Sequence, residues 1–375
     1  MILPGATLGM LGGGQLGRLF TRAAHELGYR VLVLDPDPHS PAGRIADGHL
    51  EAPYDDDAAL QELGRQCAVV TTEFENVPAA TLERLAAWCL VRPHAAAVRT
   101  TQNRIREKRF IRSLGLATAP FAVIESAADL AAAARAVRYP ALLKRAELGY
   151  DGKGQLAVGA ADGLAAAFRD LGEVPCVLEE KVALARELSV VVARAADGAM
   201  LPFPVTDNAH RGGILHRSVA PAPVAPALAE AACQAAERCA EALDFVGVMA
   251  VEFFVDDDER LLVNEIAPRT HNSGHWTLDA CVTSQFEQQV RMICGLPFGS
   301  NAQHSAAVMI NLLGDLWQDG EPRWPDLLAD ADTKLHLYGK REARPGRKMG
   351  HFTCVGPESG PLLARAEALF DRLRP

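Results

Sequence analysis

Residues 247–277 read GVMAVEFFVDDDERLLVNEIAPRTHNSGHWT. Two apolar runs, MAVEFFV (249–255) and LLVNEIAP (261–268), flank the charged turn DDDER (256–260), a pattern that predicts two adjacent strands. Each run carries one interior carboxylate, Glu252 and Glu265. A charge embedded in an apolar strand is costly unless it is paired or bound to a metal. If the runs fold into a hairpin, both carboxylates face one side with Asn264 alongside. Paired oxygen ligands of that kind suit Mg2+, which takes carboxylates together with substrate phosphates and keeps some waters. The plainer alternative is that one of them is salt-bridged to an arginine such as Arg269.

The segment RTHNSGHWT (269–277) follows the second strand directly. Arg269, Asn272, Ser273 and His275 lie within it and offer many hydrogen-bond donors, suited to a small oxyanion such as bicarbonate. His271 and His275 are four apart, a spacing that zinc on a helix would use. No H-E-x-x-H accompanies them, and Asn272, Ser273 and Gly274 favour a loop, which argues against zinc.

Working back along the chain, Lys144 ends an apolar strand and is followed by GYDGKGQ, Gly149 to Gln155. A lysine at a strand end beside a Gly-rich loop can neutralise and cover nucleotide phosphates. A solvent-exposed hairpin with incidental lysines is the alternative. The spacing is not G-x-x-x-x-G-K-[ST], which argues against a P-loop kinase. At the start of the chain, Gly12-x-Gly14-x-x-Gly17 follows a strand and opens an amphipathic helix, and a second strand ends at Asp35. This βαβ unit satisfies the dinucleotide fingerprint, with Asp35 near the place of a ribose acceptor. The physics is less specific, since a helix N-terminus receives any phosphate and a tight structural turn uses the same glycines. Glu73, Glu75 and Asn76 lie just past a strand end, where open α/β sheets bind ligands. Near the other end, Lys340 and RPGRKMGH (344–351) concentrate positive charge and offer a place for a substrate phosphate, or else form a solvated surface loop.

A chain of 375 residues predicts two or three domains with clefts between them. Its formal charge of −9 argues against nonspecific nucleic-acid binding, so an anionic substrate needs a local basic site. Eight scattered cysteines without C-x-x-C read as reduced thiols of a cytoplasmic protein. There is no signal-like leader, and no apolar stretch reaches the ~20 residues of a membrane span. The expectation is a cytoplasmic protein without membrane contact. Texture changes place one boundary near residue 98, where a basic helix begins soon after, and a small α+β block interrupts the region that follows.

Taken in order, GGGQLGR, FENVP, GYDGKGQ, VNEIAPRTHNSGHW and RPGRKMGH resemble the motifs of the 5-(carboxyamino)imidazole ribonucleotide synthase family of ATP-grasp ligases, over nearly the whole chain. The resemblance implies an α/β and α+β architecture. A Rossmann-like domain would cover 1–98, an ATP-grasp domain 99–298 with a lid at about 120–185, and a small C-terminal domain 299–375. It moves the opening glycine loop from NAD to a ribonucleotide, whose phosphate would meet Gln15 and Leu16, and Asp35 loses its cofactor role. The other ribonucleotide positions would be Glu73, Tyr150, Asp151, Lys340, Arg347 and Lys348. ATP would contact Arg104, Lys108, Lys144, Gly149, Tyr150, Asp151, Gly152, Lys153, Gly154, Gln155, Glu187 and His210. Glu179, Glu180, Lys181 and Val182 would form the adenine hinge and Glu187 the ribose acceptor. Glu252 and Glu265 would ligate Mg2+, with Asn264 supporting the phosphate end.

Bicarbonate would sit by Arg269, Asn272, Ser273 and His275, become carboxyphosphate on ATP, and carboxylate the exocyclic amine of 5-aminoimidazole ribonucleotide. The amine proton would pass to the phosphate released or to a carboxylate such as Asp151. The family also implies a homodimer. Leu148 stands where a second glycine is expected, and Asn103 where an aspartate is common. Rival readings are a related ATP-grasp enzyme formylating glycinamide ribonucleotide, an NAD-dependent oxidoreductase, and a silent binding protein. The first would lack THNSGHW and RPGRK, the second would leave Lys144, Glu252 and Glu265 unused, and no missing residue supports the third.

Overall fold

The computed structural model describes residues 1–147, 149 and 154–374, and three sheets organise them. The N-terminal sheet is parallel, in the order Gly48–Leu50, Arg30–Leu34, Thr7–Leu11, Val69–Thr72, Leu90–Val91. Its central strands, TLGML, RVLVL and VVTT, are almost wholly buried, as strands covered on both faces must be. The helix Gln15–Glu26 covers one face with Leu16, Leu19, Phe20, Ala23 and Ala24. The helix Gln285–Cys294, far away in sequence, adds Phe286, Val290 and Ile293 to the same core. That shared core ties the N-terminal sheet to the centre of the molecule. Burying a side chain such as Phe286 contributes roughly 1.5–3 kcal/mol.

A nine-stranded antiparallel sheet forms the centre. Its order runs Leu261–Ala267, Gly247–Asp256, Leu184–Arg194, Thr206–Arg211, Ile214–Ala220, Ala306–Leu313, Lys348–Gly356, Thr333–Leu337, and Met200–Pro202 pairs with Leu184–Arg194 off this path. The C-terminal strands therefore continue the central sheet, through the pairing of Ile214–Ala220 with Ala306–Leu313. The helix Ser359–Arg372 closes that end with Leu362, Ala366, Leu369 and Leu373.

The third sheet, Phe121–Ile124, Cys176–Glu180, Ala141–Arg145, Gln155–Val158, is antiparallel and four-stranded. The helices Leu130–Ala136 and Leu164–Asp170 cover it, with Ala133, Leu164 and Phe168 in its core. Ile105, from the helix Arg104–Ser113, meets this sheet at Ala146 and Val177. Asn103 caps that helix by accepting the N–H groups of Ile105 and Arg106 at 3.0 and 3.1 Å, a task asparagine performs as well as aspartate. Residue 98, the expected boundary, lies inside the helix Ala95–Thr101. That helix packs with Ala97 and Val98 buried.

Candidate active site

The strands Gly247–Asp256 and Leu261–Ala267 pair antiparallel, with Glu252 directly opposite Glu265 and a register shift immediately beyond. Directly opposed residues share one face, and like charges there repel, so each carboxylate takes a partner of its own. Glu265 Oε2 accepts from Arg104 Nη1 at 2.9 Å, and Glu252 Oε1 lies 3.0 Å from His271 Nε2. Neither meets Arg269, whose Nε instead donates to Glu75 at 2.5 Å. Asn264 Oδ1 is buried and has no hydrogen-bond partner among the described residues. Two hard carboxylates and an orphaned amide oxygen are a donor set that fits Mg2+. Asp279, His336 and His351 also bring possible ligand atoms within 4.8 Å of one another. The His336 and His351 rings, however, stack at 4.6 Å and 17°, so their in-plane lone pairs cannot converge on one ion.

On the lid side of the carboxylates, Lys144 and Lys108 converge on Glu179 Oε2 at 3.0 and 3.4 Å, all three buried. Lys108 also donates to the Asn264 carbonyl at 3.1 Å, linking the lid strand to the carboxylate hairpin. Glu179 Oε1 is a second buried acceptor without a partner among the described residues. The Glu180 carboxylate accepts the Arg138 N–H at 2.8 Å, and the backbone N–H groups of Glu180 and Lys181 donate to Pro120 and Pro140. Val182 follows in the connection to the next strand. Gly154 adopts φ +72° before the strand that begins at Gln155, where Gln155 pairs with Lys144. Arg104 reaches the Gly149 carbonyl at 3.5 Å. Leu148, Tyr150, Asp151, Gly152 and Lys153 lie outside the described residues. On the sheet itself, His210 Nδ1 meets the Glu187 carboxylate. Burial opposes the imidazolium, but Glu187, Glu252 and Glu265 outweigh it and hold the His210 pKa above its ordinary value.

The loop after the hairpin is built differently from its donor-rich sequence. Asn272 and Asn311 exchange side-chain hydrogen bonds at 3.0 and 2.5 Å, which occupies both polar atoms of Asn272. Ser273 is fully buried, accepts from Ser189 at 2.7 Å and lies 2.8 Å from His271 Nδ1. Behind it, Asn208 donates to Ser189 and Ser218 donates to Asn208, so a polar chain runs from Glu252 through His271 into the sheet. His275 is fully buried among Phe286, Tyr338 and His351, and burial holds its pKa well below the ordinary range. Of the four residues expected to face an oxyanion, Asn272, Ser273 and His275 are buried: polar groups of the sheet take the bonds of Asn272 and Ser273, and His275 Nδ1 lies 3.3 Å from Gln285 Nε2 of the helix Gln285–Cys294. Arg269 sits by Glu75, the one of the four with a cationic head. His271, Ser189 and Asn311 were not singled out as site residues. Ser189 in LSVVVAR and Asn311 in AAVMINLL are polar residues inside apolar strands, a signal as readable as Glu252 itself.

At the opposite end, Glu73 accepts the N–H groups of Gly14 and, at 2.6 Å, Gly17. Gln15 and Leu16, the next residues of the first turn, have N–H groups with no intrahelical acceptor. Asp35 accepts from Gly13 N and the Tyr54 hydroxyl, both at 2.7 Å, so the acid of the dinucleotide fingerprint is spent on the loop. Lys340 donates to Gln15 Oε1 at 2.6 Å across 325 residues of sequence. Lys348 lies near enough to Glu252 to help lower its pKa, whereas Arg347 donates to the Glu342 carbonyl at 3.1 Å near the surface. The cationic C-terminal segment therefore divides between the glycine loop and the carboxylates. A Cβ on Gly14 would stand 2.5 Å from Glu73 Oε1. Gly14→Ala is expected to displace Glu73 from the glycine loop and to destabilise the fold by about 1–3 kcal/mol, as denaturant titration will show.

Charge pairing gives the site a definite pH response. Burial alone would raise Glu75, Glu179 and Glu252, but Arg269, the pair Lys144 and Lys108, and His271 respectively hold each at about 2, against an ordinary value of 4.5. Their contribution to stability is present above pH 4.5 and is lost as pH falls toward 2. Glu107 behaves oppositely: burial, then the charge of Glu265, raises it to about 8. Its contribution is complete below 4.5 and is lost as pH rises through 8. The denaturation midpoint should therefore fall between about pH 4.5 and pH 8, and Glu107→Gln should flatten that limb while leaving the acid limb intact. An unchanged alkaline limb would remove Glu107 as its cause.

Residues 5–102 match the ribonucleotide synthetase preATP-grasp domain, 109–286 the ATP-grasp domain, and 307–365 the phosphoribosylaminoimidazole carboxylase C-terminal domain. Sheet order, lid and carboxylate hairpin thus define an ATP-grasp enzyme. The N5-carboxyaminoimidazole ribonucleotide synthase of Brucella melitensis biotype 1 is 45% identical over 95% of this chain and 98% of its own. An ADP complex of an N5-carboxyaminoimidazole ribonucleotide synthetase superposes with a TM-score of 0.92 at 38% identity, covering 100% of this chain and 99% of that one. The Aspergillus clavatus synthase in complex with ADP and 5-aminoimidazole ribonucleotide gives 0.88 at 32% identity, with 98% of each chain covered. The chain belongs to the N5-carboxyaminoimidazole ribonucleotide synthase family, within the ATP-grasp ligases.

Proposed function

We propose that the chain uses ATP and bicarbonate to carboxylate the exocyclic amine of 5-aminoimidazole ribonucleotide, giving the N5-carboxyamino ribonucleotide of de novo purine biosynthesis. The observation that carries the reading is the opposed pair Glu252 and Glu265, with the cluster of Lys108, Lys144 and Glu179 tied to their hairpin through the Asn264 carbonyl. ATP lies between the lid sheet and the central sheet. Glu179, Glu180, Lys181 and Val182 receive the adenine, Glu187 and His210 the ribose, and Arg104, Lys108, Lys144 and the segment 149–155 the phosphates. Glu252 and Glu265 would hold Mg2+, with Asn264 at the phosphate end, and the ion would neutralise phosphate oxygens.

Bicarbonate oxygen attacks the γ-phosphorus, the bond to ADP breaks, and carboxyphosphate forms. Arg269 holds the small anion through charge, and Asn272, Ser273 and His275 act from within the protein by fixing the loop that carries it. The ribonucleotide lies across the glycine loop, its phosphate on the free N–H groups of Gln15 and Leu16, with Glu73, Tyr150, Asp151, Lys340, Arg347 and Lys348 around it. Its amine attacks the carboxyl carbon, phosphate leaves, and the amine proton passes to that phosphate or to Asp151. Closure of the lid excludes water that would destroy the mixed anhydride. The family context also supports a cytoplasmic homodimer. 18O-labelled bicarbonate tests the route: one label should appear in the phosphate released, and its absence would exclude carboxyphosphate.

A further inference from the structure

The hairpin that carries His210 is not regular. Its strands pair Asp207 with Val219, Asn208 with Ser218 and Ala209 with Arg217, and then His210 pairs with Leu215. His216 is the residue left over, so the strand Ile214–Ala220 bulges there. Successive side chains of a regular strand point to opposite faces, yet His216 and Arg217 both reach one carboxylate, that of Glu367 in the C-terminal helix. Arg217 Nη1 lies 2.7 Å from Glu367 Oε1, and His216 Nε2 and Arg211 Nη2 lie 3.3 and 3.2 Å from Oε2. Phe370, three residues further along the helix, meets the His216 ring edge-on at 5.1 Å and 74°. The helix itself is anchored in the core by Leu362, Ala366 and Leu369.

A bulge bends and twists the strand pair locally and re-aims the side chains beside it. His210 is the first residue past this one, and its ring meets Glu187 on the neighbouring strand. We propose that Glu367 is a positioning residue for the nucleotide site: by pinning the bulge at His216 it sets where His210 and Glu187 meet ATP. This rests on the reading of His210 and Glu187 as nucleotide contacts. It gives the C-terminal helix a part in ATP binding, although Glu367 belongs to neither the lid nor the carboxylate hairpin. An isolated surface ion pair would have little such influence, but this carboxylate is three-quarters buried, with its side chain 24% exposed, and gathers two arginines and a histidine.

Calorimetry with ADP and, separately, with 5-aminoimidazole ribonucleotide tests the proposal on Glu367→Ala, Glu367→Gln and His210→Ala. Glu367→Ala should weaken ADP binding about tenfold and ribonucleotide binding less than about twofold, with no further ADP loss when combined with His210→Ala. Glu367→Gln, which keeps the volume and one acceptor, should fall between. Unchanged ADP binding in both Glu367 variants, with His210→Ala weakened, would overturn the proposal and leave the nucleotide site as assigned. Equal loss of both ligands would mark a general structural role and overturn it too. An unaffected His210→Ala would overturn the assignment of His210 and the proposal with it.

Discussion

Replacing Glu265 with alanine is expected to lower ribonucleotide-dependent ATP turnover about 10²–10³-fold, the range seen when a group that stabilises transition-state charge is removed. Glu265 sits opposite Glu252 and accepts from Arg104, so its loss removes half of the carboxylate pair and frees an arginine among the phosphate contacts. The fold should survive, because the side chain is 38% exposed and its charge repels Glu107. A denaturation midpoint close to that of the parent, combined with the loss of turnover, identifies a catalytic defect. Glu265→Gln should fail as well, since it keeps an oxygen but loses one of the two negative charges that the pair offers a divalent cation. Turnover within a few fold of the parent would take Glu265 out of the metal site.

Lys144→Met should be damaging in two separable ways. It removes the cation nearest to Glu179, which is buried and ionised, and breaking one partner of such a pair costs about 3 kcal/mol. It also removes a phosphate contact, so turnover should fall about 10²-fold or more. Combining it with Glu179→Gln removes the stranded charge. The double variant should recover most of the lost stability, measured by denaturant titration, while activity stays low. If activity returned together with stability, Lys144 would be a structural residue only.

The carboxylate hairpin was readable in part because its signal is local: two charges in apolar runs that flank one charged turn. The bulge that brings Glu265 rather than Asn264 opposite Glu252 was not, since a regular period would leave the two carboxylates on opposite faces. The parallel N-terminal sheet was readable from a local signal too, through apolar runs separated by a glycine turn. The loop 269–277 was not, because side-chain chemistry alone does not say which way a donor points. Asn272, Ser273 and His275 find their partners in Asn311, Ser189 and the ring cluster, residues tens of positions away. Glu73 belongs to the same class. Its place past a strand end was visible, but its capture of the Gly14 and Gly17 N–H groups depends on a contact spanning 59 and 56 residues. The C-terminal cations looked like one patch in sequence, and the turn between Lys340 and Lys348 separates them in space, one toward Gln15 and the other toward Glu252.

Phosphate release from Mg-ATP in the presence of bicarbonate, with and without 5-aminoimidazole ribonucleotide, tests the central claim most directly. Release that depends on the ribonucleotide, equals the carbamate formed and vanishes in Glu265→Ala is the predicted result. Absence of ATP turnover under every condition, together with saturable NAD binding at the Gly12–Gly17 loop, would contradict it.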